Sequence, residues 1–231
     1  MKNQSDSDFN IAKELDEEAS KIGIGGKTSP DINEKTYKER MRKRKEIQDK
    51  RLEMRISKKG LIIVFTGNGK GKTTAALGMA LRALGHGSKV AIIQFIKGGW
   101  ETGEEKALRN FSKKVSWHSL GEGFTWETQD RIKDENLVKE AWNLAKKYIE
   151  DESYKLVILD EINIATKLGY LTEEEIINFL KCIKTKNNHI VLTGRGASKS
   201  ILELADLVSE MKLVKHPFRD QGIKAQKCVE F

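Results

Sequence analysis

Apolar residues follow two different rhythms along this 231-residue chain. From about residue 60 onward, short unbroken apolar runs alternate with longer stretches in which apolar positions recur every three or four residues. Unbroken runs suit strands buried on both faces, whereas the wider spacing collects apolar side chains on one face of a helix. The runs at 61–65, 90–96, 156–159 and 189–193 therefore predict strands. Helices are predicted over 73–84, stopped by Gly85 and Gly87, over 130–150, from about 172 to 183 with Thr172 as N-cap, and over 198–204. Residues 207–213 and 225–231 read as closing strands. Strands and helices in alternation imply an α/β fold, a mostly parallel sheet with helices on both faces. In such sheets ligands collect beyond the carboxyl ends of the strands.

The first 59 residues keep neither rhythm. Residues 1–33 are polar, have Phe9 as their one aromatic residue and contain the breaker-rich GIGGKTSPD, so 1–35 is expected to be a mobile tail. The stretch that follows, EKTYKERMRKRKEIQDKRLEMRISKK, is rich in helix formers with only an irregular apolar stripe of Tyr37, Met41, Ile47, Leu52 and Met54. A largely solvated helix is the expectation. Charge sharpens this picture: the net +8 is concentrated between Lys35 and Lys59, where twelve basic residues face four acidic ones. A charged exposed face, nucleic-acid contact and docking onto another subunit all accommodate such a segment. No apolar run approaches the roughly 18 residues of a membrane helix, and the N-terminus lacks the apolar core of a signal peptide. A cytoplasmic protein is expected. Cys182 and Cys228 are far apart, as are His86, His118, His189 and His216, so reduced thiols and no His/Cys metal site are expected.

The richest chemistry lies where the first strand ends. Residues 61–74, LIIVFTGNGKGKTT, break from an apolar run into glycines and finish in Lys-Thr-Thr. Glycines let consecutive backbone N–H groups turn onto an anion, Lys72 adds a point charge, and the Thr73 hydroxyl can hold Mg²⁺. A triphosphate nucleotide is the expected guest. The usual spacing, G-x-x-x-x-G-K-[ST], would require glycine where Thr66 stands, so the loop from Gly67 is one residue short and the orientation of the nucleotide is open. Asp160 and Glu161 end another apolar run, where a carboxylate can reach the metal of a phosphate-loop site. Arg195, between two glycines in TGRGAS, is placed to reach a phosphate, a ribose or solvent. Phe124 and Trp126 in SLGEGFTWETQD, with Trp100 in KGGWETGE, favour packing within their own domain by composition and leave open a flat apolar ligand. These residues by themselves accommodate an ATPase or kinase releasing ADP, or an ATP-gated nucleic-acid binder.

Taken in order, GNGKGKTTAALGMALRALGHG, VAIIQFIKG, GEGFTW, LVILDEIN, LTGRGA and HPF followed by GIKAQ resemble the ATP:corrinoid adenosyltransferases, the BtuR-type cob(I)alamin adenosyltransferases, over about residues 36–231. The resemblance implies a P-loop NTPase-like catalytic domain of RecA-like architecture over 60–231. It also makes 36–59 a basic helical segment covering the active site, across a homodimer. The short loop is this family's own form, in which ATP lies reversed with its 5′ carbon exposed. The implied reaction transfers the 5′-deoxyadenosyl group of ATP to the Co(I) centre of a corrinoid, cobalamin or a precursor, with triphosphate as leaving group. By the same resemblance Thr73 and Glu161 hold Mg²⁺. Gly67, Asn68, Gly69, Lys70, Gly71, Lys72, Thr73, Thr74 and Arg195 bind the nucleotide, and Lys72 spreads the charge that grows on the triphosphate. Phe124 and Trp126 fill the lower face of the corrinoid, displace its axial base and make Co(II) easier for a flavoprotein donor to reduce. Neither nucleic acid nor a membrane is then an expected partner. One departure stands in the ending KCVEF, with Cys228 and Val229 where glycine and an aliphatic residue are commoner in the family.

Overall fold

The structure is a computed structural model, and it describes residues 34–53, 59–96, 102–111, 113–120, 131–183 and 187–229. The expected tail at 1–33, and Trp100, Phe124 and Trp126, lie outside the described residues. The chain divides into two units, residues 1–58 and 59–231.

In the first unit a single helix is described, α1, Glu34–Glu53. Its sequence offers Glu34 to the positive N-terminal end of the helix dipole and Lys50 and Arg51 to the negative end. Exposed pairs one turn apart, Lys38 with Glu34 at 2.6 Å and Arg42 with Glu46 at 3.5 Å, add the small support such contacts provide. The solvated basic helix expected here is present over the described span Glu34–Glu53.

The second unit is a six-stranded parallel sheet. Its elements are β1 Ile62–Thr66, α2 Lys72–Gly85, β2 Lys89–Gln94, α3 Gly103–Arg109, β3 Val115–Ser119, α4 Arg131–Glu150, β4 Tyr154–Asp160, α5 Ile162–Lys167, α6 Glu173–Ile183, β5 His189–Thr193, α7 Lys199–Leu204, β6 Leu207–Glu210 and α8 Pro217–Gln221. The strands lie in the order β3-β2-β4-β5-β1-β6. Strand β5 thus separates the strand that leads into the phosphate loop from the one that ends in Asp160.

Alternation along each strand explains why the runs are apolar throughout. Ile63 and Phe65 of β1 join Ala76, Leu77, Ala80 and Leu84 of α2 on one face, with Leu108 of α3 beside them. Ile62 and Val64 point the other way, into the larger cluster formed with Val138, Trp142 and Ile149 of α4, Ile176 and Leu180 of α6 and Ile201 of α7. Both faces are covered, so both sets of side chains are apolar. Caps set several boundaries: the Thr172 hydroxyl accepts from Glu175 N at 3.3 Å, as expected, and the Ser198 hydroxyl accepts from Ile201 N at 3.3 Å.

The carboxy-terminal region departs from expectation. The closing strand at 207–213 stops at Glu210, and no strand forms at 225–229, where every residue is exposed and a turn covers 227–229. Lys224, Gln226 and Lys227 leave that stretch without an apolar face to bury. In its place stands α8, opened by His216 and Pro217 and closed by Gly222 in the left-handed conformation.

Candidate functional site

The departure from the usual phosphate-loop spacing has a structural reason. Thr66 is still the last residue of β1 and is buried, and its carbonyl accepts from Met211 N at 2.8 Å. Its hydroxyl accepts from Ala197 N at 3.2 Å, tying the turn after β5 to the root of the loop. A glycine there would lose that tether. The loop proper is therefore residues 67–71, braced from beneath by the chain after β6. Gly69 N donates to Met211 O at 2.6 Å. A Cβ on Gly67 would sit 2.5 Å from Met211 O, and one on Gly69 would sit 2.7 Å from Lys212 O. Gly71 has φ +103° and is the N-cap of α2 with no side chain occupying the helix end, so the first N–H groups of a 14-residue helix face the loop.

Lys72 lies under this loop, only 6% exposed, and its Nζ donates to Gly67 O at 2.9 Å and Gly69 O at 2.6 Å. Burial pushes its pKa below the ordinary lysine value; Arg195 and Lys70 add to that, while Glu161 and Asp160 oppose it. The same four charges are those that sequence reasoning placed at one sheet edge, and the fold brings them around Lys72.

The two neighbouring acids have different surroundings. Asp160, at 1% exposure, accepts from the hydroxyls of Thr73 at 2.9 Å and Thr193 at 2.7 Å through Oδ1, and from Gln94 Nε2 at 3.0 Å through Oδ2. Its lone pairs are committed to orienting other side chains. Glu161 has φ +61° and N-caps α5 without its carboxylate capping the helix. That side chain lies against Gly194, where an added Cβ would be 3.2 Å from Glu161 Oε2. Gly194, with φ +128°, makes room for it. The donor set fits Mg²⁺, which takes oxygen ligands and is held by few protein groups together with substrate phosphates. Among the described residues no group of three or more His, Cys, Asp or Glu forms a metal cluster. Thr73 and Glu161 are the side chains that could hold a cation shared with a nucleotide, with Asp160 bonded to the Thr73 hydroxyl.

Asn68 and Arg195, predicted together, line one polar cavity of about 630 Å³ with Glu210, Lys212, His216 and Arg219. Lys70 and Thr74 are exposed on the loop and on the first turn of α2. Sequence reasoning gave no site role to the residues after β6, although HPF stood among the motifs of the resemblance. The signal available was HPF: His216 Nδ1 accepts from Phe218 N at 3.2 Å, and Asp220 Oδ2 accepts from His216 N at 2.7 Å, a local cap that fixes the cavity wall. Thr193 and Gln94 were also missed, because a single polar residue at or near the end of an apolar run carries no signal of its own.

Comparison with known proteins identifies the family. Residues 58–231 match the model of the family described as ATP:corrinoid adenosyltransferase BtuR/CobO/CobP, and residues 28–52 match one described as cob(I)alamin adenosyltransferase N terminal. A corrinoid adenosyltransferase of Pseudomonas aeruginosa is 47% identical over 88% of this chain and 98% of its own length. One from Sinorhizobium sp. is 46% identical over 90% of this chain and 97% of its own length. The Escherichia coli K12 corrinoid adenosyltransferase is 43% identical over 87% of this chain and all of its own length. With the family model spanning the whole phosphate-loop unit and identities of this size over nearly the full chain, the protein belongs to the ATP:corrinoid adenosyltransferase BtuR/CobO/CobP family.

Proposed function

We propose that this protein is a cytoplasmic enzyme that transfers the 5′-deoxyadenosyl group of ATP to the Co(I) centre of a corrinoid and releases triphosphate. The observation that carries the reading is the five-residue loop after Thr66, with Lys72 beneath it beside Glu161, Asp160 and Arg195. The cobalt lone pair attacks C5′, a cobalt–carbon bond forms, and the C5′–O5′ bond breaks with its electron pair leaving on triphosphate. No phosphoryl group moves. Co(I) is already a strong nucleophile, so the protein's task is alignment and stabilisation of the leaving group. Lys72, the N–H groups of the loop and the N-terminus of α2 face the charge that grows there. Thr73 and Glu161 would hold Mg²⁺, which supplies further positive charge to the triphosphate when bound. Asp160 accepts a hydrogen bond from the Thr73 hydroxyl, which would leave that oxygen's lone pairs free for the cation. Asn68 and Arg195 contact the nucleotide from the wall of the cavity they share.

The acceptor half of the proposal rests on Phe124 and Trp126, which pack on the lower face of the corrinoid in place of its axial base. Removing that ligand eases reduction of Co(II) by a flavoprotein. A homodimer completes the reading, and sedimentation at working concentration tests it.

Incubation with MgATP and chemically reduced cobalamin should yield a light-sensitive alkylcobalamin and free triphosphate. ADP with no alkylated product would instead assign an ATPase or kinase. Trp126→Ala should slow the reaction from Co(II) with a flavoprotein donor far more than the reaction from pre-reduced Co(I). Equal losses would reduce the role of Trp126 to corrinoid binding.

A further inference from the structure

The phosphate loop stands at one end of α2; at the other end the sheet and the helix leave a cavity of about 400 Å³ that no residue of the nucleotide site lines. Its walls are aliphatic. Leu61 and Ile63 enter from the start of β1, Met79 and Ala83 from α2 and Leu156 from β4. Leu61, Met79 and Ala83 are only partly buried, so this is apolar surface left open beside the core. Protein interiors are close-packed, and a side chain larger than alanine at position 83 would fill part of the space. Apolar cavities hold water poorly and accept apolar molecules instead.

The polar part of the lining is of one kind. Arg82, His86, Ser88, Lys155 and His189 complete it, with no aspartate or glutamate among them. Arg82 and His86 alone would be accounted for by the negative carboxyl end of α2. Lys155 belongs to β4 and His189 to β5, and no helix end explains either. His189 Nδ1 accepts from Leu61 N at 3.2 Å, which puts the ring proton on Nε2 and leaves a second donor. Among the described residues Arg82 and Lys155 have no ion-pair partner. The site differs in kind from the one at the carboxyl ends, since its cations are exposed and its walls carry no charge. Aliphatic walls without an aromatic ring suit a chain rather than a flat molecule. A carboxylate can take two parallel N–H bonds from Arg82. The volume of about 400 Å³ is toward the small end for ligand cavities and gives room for a chain of about eight carbons.

We propose that this cavity is a second ligand site, which takes a medium-chain aliphatic carboxylate with its chain between β1 and α2 and its head at Arg82 and Lys155. Binding there does not depend on the adenosyltransferase chemistry, so failure of either leaves the other standing. Sodium octanoate, titrated into full-length protein by calorimetry below its micelle concentration, should bind saturably and one-to-one. Affinity should rise by about fourfold for each methylene added from hexanoate onward and level off once the cavity is full. Ala83→Leu should abolish binding without lowering the thermal midpoint. Arg82→Gln and Lys155→Gln together should weaken octanoate about tenfold and leave octan-1-ol unaffected. Saturating MgATP should change octanoate affinity by less than about twofold, because the two sites lie at opposite ends of α2. Absence of saturable binding, or unchanged affinity in a folded Ala83→Leu protein, overturns the proposal. Equal losses of octanoate and octan-1-ol in the double variant would remove the head-group assignment and the carboxylate with it. Competition by MgATP would put the carboxylate in the phosphate loop instead. Retention on phosphatidylglycerol vesicles that Ala83→Leu abolishes would assign the cavity to membrane lipid and equally overturn the proposal.

Discussion

The two ends of the sheet are built from the same strands to opposite standards. At the amino ends Asp206 and His189 each secure a strand start. Asp206 accepts from Ile62 N at 2.9 Å and pairs with Lys59 at 2.5 Å, and His189 Nδ1 accepts from Leu61 N at 3.2 Å. Beside His189 lies a mostly apolar cavity of about 400 Å³ walled by Leu61, Ile63, Met79, Ala83 and Leu156. At the carboxyl ends the buried residues include Thr66, Lys72, Gln94, Asp160, Asn163 and Thr193, and Gly67, Gly71, Gly194 and Glu161 all have positive φ. Asn163 Oδ1 is buried there without a hydrogen-bond partner. One end contributes stability; the other carries desolvated charge and backbone strain, the pattern expected where structure is arranged for a ligand.

The sharpest way to break this contrast is Lys72→Ala. Loss of the charge under the loop should lower the alkylation rate from Co(I) by roughly 10²–10³-fold, the scale seen when one group that stabilises developing charge is removed. Thermal unfolding should move little, because the deleted group was a buried cation. A near-normal rate would mean that the loop is not where the leaving group develops. Next in size, Gly69→Ala forces a Cβ to within 2.7 Å of the Lys212 and Met211 carbonyls. Displacement of that backbone should cost about 1–3 kcal/mol in denaturant unfolding and weaken ATP binding. Gly78→Ala on α2, with no atom within 4 Å of the new Cβ, should instead stabilise by about 0.5–1 kcal/mol. If both glycines respond alike, the bracing of the loop by residues 211–212 is wrong.

At the other end, Asp206→Ala leaves Ile62 N without its acceptor and should destabilise by about 1–3 kcal/mol with kcat unchanged. A fall in kcat would show that the ends are not separable. The smallest effect is in pH. The folded-state pKa of Lys72 is below its unfolded value, so between the two the unfolded chain binds more protons and this residue's contribution to stability rises with pH. Activity moves the opposite way: kcat/KM for ATP should fall as pH rises through the lowered pKa, while kcat, measured with triphosphate already against Lys72, should hold to higher pH. Coincident profiles would place the titrating group elsewhere.

Much of the nucleotide half was legible because its signals are local. The glycines, Lys72 and Thr73 occur in order after a strand, and Asp160 and Arg195 each end an apolar run, so topology alone had to gather them. The resemblance supplied the rest of the site assignment and agrees with the family match. What stayed hidden depends on cross-strand register or on elements too short for periodicity. Strand β3, VSWHS, has a single buried residue, Trp117, and looks like loop. Gln94 acquires meaning only from standing between Asp160 and Ser119. Helix α3 is a seven-residue element whose one clear signal was Thr102 accepting from Glu105 N, and α8 has five residues and no buried face. The expected strand at 225–231 is absent over its described part, 225–229, for the converse reason: a few apolar letters near a terminus suggested pairing that the described residues do not make.

Lys72 bonded to the carbonyls of Gly67 and Gly69 means that the loop itself contains a rival for any anion that enters it. An incoming ligand must outcompete two internal acceptors before it gains anything, so the measured affinity is a difference and not the full strength of the new contacts. Simple monovalent anions offer the ammonium little more than it already has. A polyphosphate, able to engage the lysine, the loop amides and a cation at once, exceeds that threshold, and the site is thereby guarded against the common small anions of the cell by its own backbone.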